Sequence, residues 1–346
     1  MRARGGRRIA FLAVAAAALA VAAALASLFD RPPVGDSVSL EVEAVPLDPG
    51  QPSRTTVGGI RYRGGLWLRS ADPRFGGLSD LRVGADGRRL YAVSDCGRGF
   101  TAMLGYDAGG RLVELSDPRM VDLTGPDGGP LSVEEIDAES LCRAGATLEV
   151  GFEGRPRVWS YRLDPAFAGP ARLMPAPAAV STCGQNASLE AMAALGDGRR
   201  LLVCEGRRGA SDTVPAWIGK AGQWIERPYP LLFEGGWAGE PFRPTSACVL
   251  PGGDVLVLER RYPPLGARVV RLTRSSLEDA GPLEPREVAR LEAPLTLDNY
   301  EGIDARRDVA GRTLVYLLSD DNNCSKPAVH GPERQRTLLL LFALEE

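Results

Sequence analysis

The chain holds one histidine, His330, and two lysines, Lys220 and Lys326, among 346 residues. A Ser-His-Asp triad would have to use His330 as its base, but that residue lies in a Pro/Gly-flanked stretch, PAVHGPE, and no G-x-S-x-G motif occurs. There is no C-x-x-C pair, so zinc-type Cys/His ligand sets are missing as well. No glycine-rich phosphate loop for nucleotides is present. Net charge is −3, which gives no broad basic field and argues against a nucleic-acid partner. Long helical periodicities are also lacking; residues 133–138 and 274–279 are each expected to make one turn.

Glycine (41) and proline (27) are plentiful and dispersed, the composition of many short strands joined by tight turns. The N-terminus reads as a targeting segment. Arg2, Arg4, Arg7 and Arg8 precede an uncharged Ala/Leu/Val run over residues 9–29, with Ala24-Leu25-Ala26 as a small-x-small cleavage site. The run also has the length of a membrane span. Residues 1–29 are therefore either a cleaved signal peptide or a retained anchor, and both place the body outside the cytoplasm, in the periplasm or beyond. Residues 30–37 read as a linker and 38–346 as one domain. Six cysteines, at 96, 142, 183, 204, 248 and 324, then fall in an oxidising compartment, where up to three disulfides are permitted. Cys204 and Cys248 sit in apolar strand contexts and read as core residues; Cys96 and Cys324 occupy equivalent places in two repeats and suggest a bridge.

A plan recurs five times: a polar or acidic residue, a short apolar strand, usually a Gly-bearing turn, then a hydrophobic strand ending in Asp or Glu. The units begin at residues 76, 137, 187, 244 and 298. Matching Asp80, Glu139, Glu190, Ser246 and Glu301 gives spacings of 59, 51, 56 and 55, enough for four strands and their loops. An all-β propeller of five units is expected, with a sixth blade if the N-terminal strands at 38–45 and 60–69 form their own sheet. Otherwise those strands close the ring beside the apolar strand at 337–343. The strand at 38–45 alternates and predicts one buried face, and the Pro-rich residues 170–177 read as loop. A two-domain β-sandwich is the competing architecture.

Two acidic series emerge from this alignment. The first, ahead of the inner strand, is Asp80, Glu139, Glu190 and Glu301, interrupted by Ser246. The second, at the end of the next strand, is Asp95, Glu153, Glu205, Glu259 and the pair Asp320 and Asp321. In a propeller both converge on one channel mouth. Gathered carboxylates repel unless a cation binds them, and hard oxygen ligands favour Ca²⁺. Glu139, Glu190 and Glu301 are the candidate catalytic residues, and with Asp95, Asp320 and Asp321 the candidate metal ligands. Arg98, Arg207, Arg260, Asn299 and Asn322 are candidates for substrate binding, with Asn186 and Arg157 nearby in the alignment. The competing reading has each acid capping a turn or pairing with a neighbouring arginine.

Taken in order, the segments FGGLSDL, YAVSDCGR, DAESL, NASLEAMAAL, PTSACVLPGGDVLVLERRY, NYEGIDA, LLSDDNN and QRTLLLLF resemble the phytase-like family, also described as "esterase-like activity of phytase". The resemblance covers residue 75 to the C-terminus. It implies a β-propeller with phosphoester hydrolase or esterase activity, and it implies Asp95, Glu139, Glu190, Glu205, Glu259, Glu301, Asp320 and Asp321 as the active acids. Cys96 stands where the family usually carries Arg, and Cys324 opens an insertion over residues 325–333. The expected function is a Ca²⁺-dependent hydrolase of a small ester or phosphoester, touching a membrane only through residues 9–29 if these are retained. The alternative is a non-catalytic binding propeller of the cell envelope.

Overall fold

The computed structural model describes residues 35–345 apart from 185–187, 207–208, 210, 235–238 and 324–334. His330, Cys324, Asn186 and Arg207 lie outside the described residues. The chain enters through β1 (Asp36–Ser37), β2 (Glu41–Ala44), β3 (Thr56–Val57) and β4 (Ile60–Arg69). Blade 1 follows as β5 (Leu78–Val83), β6 (Arg89–Ser94), β7 (Arg98–Tyr106) and β8 (Leu112–Asp122). Blade 2 is β9 (Ala138–Ala144), β10 (Thr147–Phe152), β11 (Arg157–Arg162) and β12 (Arg172–Met174). Blade 3 is β13 (Leu189–Ala194), β14 (Arg200–Cys204), β15 (Thr213–Lys220) and β16 (Gln223–Pro230). Blade 4 is β17 (Arg243–Val249), β18 (Val255–Arg261), β19 (Gly266–Leu272) and β20 (Arg286–Leu291). Blade 5 is β21 (Asn299–Arg307), β22 (Thr313–Asp320) and β23 (Thr337–Leu344), continued outward by β4 and then β2.

Each blade is an antiparallel meander, and the innermost strands β5, β9, β13, β17 and β21 contact one another in a closed circle. The fold is a five-bladed β-propeller. The N-terminal strands do not form a sixth sheet; β4 pairs with β23 along its length, so strands from both ends of the chain share one blade. Radial closure of this kind protects the sheet edges that an open β-sheet would leave unpaired.

The cores lie between blades because β-strands present alternate side chains to opposite faces. Leu81, Leu90, Phe100, Leu339 and Leu341 fill the space between blades 5 and 1, and Leu256, Val269, Leu317, Leu340 and Phe342 that between blades 4 and 5. These side chains are at most 2 % exposed, and each stabilises the fold by roughly 1.5–3 kcal/mol. Tight turns close the hairpins. At the β5–β6 turn Gly87 takes φ +70°, which a side chain would resist, and Asp86 Oδ1 accepts the Arg88 and Arg89 amides at 2.9 and 3.1 Å.

Four local expectations change. Asp36 and Ser37, read as linker, add an edge strand to β8. All four residues of β2 are exposed, because it is the outermost strand of its sheet and has a partner on one side only. Arg172, Leu173 and Met174, read as loop, pair with β11; the prolines at 170, 175 and 177 flank the short strand without occupying it. Cys204 is not a free core thiol but is bonded to Cys183, with Cα atoms 5.8 Å apart. Cys142 and Cys248 are free and buried. Cys96 is disulfide-bonded; its expected partner Cys324 lies outside the described residues. Arg274–Glu278 makes the expected helical turn, capped by the Thr273 side chain.

Candidate functional site: an acidic mouth above an arginine clasp

The register of the inner hairpins decides which residues reach the axis. In every blade one inner-strand residue is skipped by the pairing, as a β-bulge: Ser79, Glu139, Glu190, Thr245 and Glu301. A bulge frees a residue from the ladder and re-aims its side chain. The aligned set therefore mixed two positions. Glu139, Glu190 and Glu301 are true equivalents, whereas Asp80 and Ser246 lie one residue further along, level with Ser140, Ala191 and Gly302.

That single step separates two environments. Asp80 is fully buried and saturated. It accepts the Leu81 amide at 2.8 Å, the Leu141 amide at 2.7 Å and the Ser246 hydroxyl at 2.7 Å, and pairs with Arg82 at 3.1 Å. Arg82 in turn donates to the carbonyls of Ile303 (2.9 Å), Met192 (3.0 Å) and Ala247 (2.7 Å). Ser246 also accepts the Ile303 amide at 3.1 Å. One Asp–Arg pair from blade 1 thus reaches backbone or side chain of all four other blades. Burial pushes Asp80 up to about 7 against the pull of Arg82. This is a clasp across the axis; Asp80 is occupied there and is no part of an open ligand ring.

The second acidic series shifts in the same way. The equivalents beyond the strand ends are Asp95, Glu153, Glu205, Arg260 and Asp320, which donate their backbone amides to, or pair with, positions 77, 137, 188, 243 and 299 of the inner strands. Glu259 is one residue too early. It points between blades, accepting from the Tyr229 hydroxyl at 2.6 Å and meeting Arg268 at 3.3 Å. Its place at the mouth is taken by Arg260, whose guanidinium meets Glu205 at 2.9 Å and Glu301 at 3.3 Å and also donates to the Asn299 side chain. Asn299 Nδ2 donates to Glu301 Oε1 at 2.7 Å.

Carboxylate oxygens of Glu139, Glu190 and Glu301, from blades 2, 3 and 5, lie within 4.8 Å of one another. A second triplet, Asp137, Glu139 and Glu153, shares Glu139. Asp137 escaped the sequence reading, although the alternation Asp137-Ala138-Glu139 could have revealed it. Glu190 and Glu301 are 6 % and 8 % exposed, and Glu139 opens partly to the mouth. Burial, then the charges of Glu190 and Glu301, raise Glu139 well above the usual carboxylate range; burial, then Glu205, Glu153 and Glu301, do the same to Glu190. Glu301 is raised by burial, against the opposing Arg260 charge. Asp320 is raised by burial and by Glu301, Asp95 and Asp321, and Glu153 by burial to about 7. Asp95 thus belongs to the same charged assembly.

The remaining candidates are placed elsewhere. Asp321 accepts the Gly77 amide at 2.9 Å and the Asn323 amide at 3.1 Å, tying blade 5 to blade 1. Asn322, at φ +51°, donates its amide to Asp320 at 2.9 Å. Arg98 pairs at 3.1 Å with the exposed Asp122. Arg157 stacks over Phe152 and Trp159.

Fold and site together define a five-bladed propeller with an acidic mouth at one end of its axis. The profile of the phytase-like family, "Esterase-like activity of phytase", matches residues 73–323, and the chain belongs to that family. None of the curated proteins matches the sequence. Among solved structures, the chain resembles an endo-arabinase from Bacteroides thetaiotaomicron (TM-score 0.45, 9 % identity, covering 78 % of this chain and 94 % of that one). It likewise resembles an endo-1,4-beta-xylanase from the same organism (0.45, 10 %, 77 % and 90 %). A third likeness is U3-55K (0.39, 10 %, 82 % and 98 %).

Proposed function

We propose that this protein is an exported, metal-dependent hydrolase of small phosphoric or carboxylic esters, with Glu139, Glu190 and Glu301 holding a Ca²⁺-like cation. The observation that carries the reading is the approach of three carboxylates from three blades, with oxygens within 4.8 Å, although like charges this close repel. No salt bridge among the described residues reaches Glu139 or Glu190, and Arg260 pairs with their neighbours Glu205 and Glu301. The donor set fits the ion: Ca²⁺ takes hard oxygens at about 2.3–2.6 Å, so two ligands of one ion stand at most about 5 Å apart. Asp95, Asp137, Glu153 and Asp320 surround the triplet and supply further oxygens for so highly coordinated a cation.

Once bound, such a cation would lower the pKa of a water and polarise the ester oxygen. The chain's own residues do the rest. Arg260, held by Glu205 and Glu301, presents a guanidinium at the mouth and orients an anionic substrate group. Asn299 fixes the Glu301 carboxylate from the side. The Asp80–Arg82 clasp keeps the five inner strands, and hence the three bulge residues, at fixed distances. Export is supported by the basic-then-apolar N-terminus and by the Cys183–Cys204 bond.

A panel of phosphomonoesters, phosphodiesters and lactones assayed with Ca²⁺ and after chelation tests the proposal. Activity on at least one class, abolished by chelation and by Glu190→Gln, is expected. Chelator-insensitive turnover, or none across the panel, would overturn it. A non-catalytic binding propeller is the second reading, favoured by the Arg260 pairing that already neutralises part of the mouth; it predicts ligand retention without turnover.

A further inference from the structure

Several arginines gather at the end of blades 5 and 1 opposite the acidic mouth. Every inner strand runs away from the acidic mouth, so the β5–β6, β7–β8 and β21–β22 turns all lie at the opposite end. Three of these turns share one chemistry: an Asp whose carboxylate closes the turn, a Gly at positive φ, then Arg. Asp86, Asp107 and Asp308 accept the amides of Arg88, Arg111 and Arg312 at 2.9, 2.8 and 2.8 Å, with Gly87, Gly110 and Gly311 at φ +70°, +73° and +82°. The Asp86 and Asp107 carboxylates are thereby turned to backbone, whereas Asp308 also pairs with the Arg312 guanidinium at 2.7 Å.

The arginines of blades 5 and 1 converge there. A Cβ on Gly110 would lie 3.2 Å from Arg312 and 3.5 Å from Arg63, and the Arg63 charge is opposed by Arg312 and Arg111 and favoured by Asp107 and Asp308. Arg63 Nε is buried with no partner. Arg88, Arg111 and Arg307 are exposed and have no ion-pair partner among the described residues. At the tip of the β21–β22 turn, between Arg307 and Arg312, Val309 is fully exposed.

We propose that this end of the propeller docks on an anionic lipid surface, independently of the N-terminal segment. A field of guanidiniums carried on several turns matches an extended anionic plane better than a single small anion. The exposed Val309 between arginines suits the boundary between headgroups and acyl chains. Docked in this way, the acidic mouth at the far end of the axis faces away from the lipid and stays open to solvent.

The test uses residues 35–346, which contain every described strand including the closing pair β4 and β23 and form one compact unit. Co-sedimentation is measured with phosphatidylcholine vesicles and with vesicles containing phosphatidylglycerol, at low and high salt. Binding to the anionic vesicles alone, weakened by salt, is expected. The variant Arg88→Ala/Arg111→Ala/Arg307→Ala should bind about a hundred-fold more weakly, at roughly five-fold per guanidinium near the surface. Val309→Ser should lose several-fold with the charges intact. These positions are exposed, so circular dichroism and Tm should match wild type; were the triple variant misfolded, the salt dependence and lipid preference of wild type still decide. Equal binding to both vesicle types, no binding to either, or triple-variant affinity equal to wild type would overturn the proposal. Capture of heparin with indifference to both vesicles would overturn it in favour of a soluble polyanion.

Discussion

Asp80 and Glu190 are both buried acids on inner strands, in matching repeats, one register step apart. Asp80 has every oxygen satisfied by Arg82, Ser246 and two amides. Glu190 is surrounded by Glu139, Glu153, Glu205 and Glu301, and the opposing charge of Arg260 reaches it only from a distance. Burial raises both, but the first sits in a finished network and the second among like charges. Buried polar groups that are fully paired hold a structure together; those left facing like charge call for a ligand. The difference between clasp and mouth is the difference between scaffold and site.

The comparison breaks most sharply at Arg82. Replacing it by Leu strands Asp80 as a buried, unpaired charge and should cost about 3–5 kcal/mol in urea unfolding. Loss of under 1 kcal/mol would mean that the clasp does not hold the ring. The next effect concerns pH. Burial pushes Glu153 up to about 7 from an ordinary 4.5, and burial raises Glu139, Glu190 and Asp320 as well. The folded chain therefore holds protons that the unfolded chain releases, and stability of the chelated protein falls as pH rises from about 4.5 to 7, by roughly 3 kcal/mol through Glu153 alone. A chelated Tm that climbs through this window would contradict the crowding of acids at the mouth.

Calcium at about a hundred times its Kd should restore about 2.7 kcal/mol to wild type, and little of that to Glu190→Gln or Glu301→Gln. Glu259→Gln sharpens the contrast, because that residue bonds Tyr229 and Arg268 instead of facing the mouth. It should lose about 1–3 kcal/mol while keeping the full calcium shift. Smallest is Arg98→Ala, whose partner Asp122 is exposed; a change within about 0.5 kcal/mol and unaltered calcium response are expected.

The propeller itself was legible in the sequence, since the repeated strand–turn–strand plan and the apolar strand at 337–343 carry the five units and the closure, while a sixth blade from the N-terminal strands was settled only by the pairing of β4 with β23. That Glu139, Glu190 and Glu301 share one repeat position and meet was legible as well. What failed was register. Asp80, Ser246 and Glu259 were matched by their letters, whereas the bulge advances each blade by one residue relative to a simple alternation and places Ser79, Thr245 and Arg260 at the mouth. A one-residue step in a strand moves a side chain to the other face, and a bulge leaves no residue type by which to recognise it. The Cys183–Cys204 pairing was hidden for a different reason: it joins β14 to residues ahead of β13, and no spacing rule encodes that approach.

The central claim, that three bulge glutamates gather to hold a cation, is tested most directly by a crystal structure of the protein grown with Ca²⁺. An ion bonded to oxygens of Glu139, Glu190 and Glu301 is expected. A mouth without an ion, with these carboxylates instead splayed apart or paired to arginines, would contradict it.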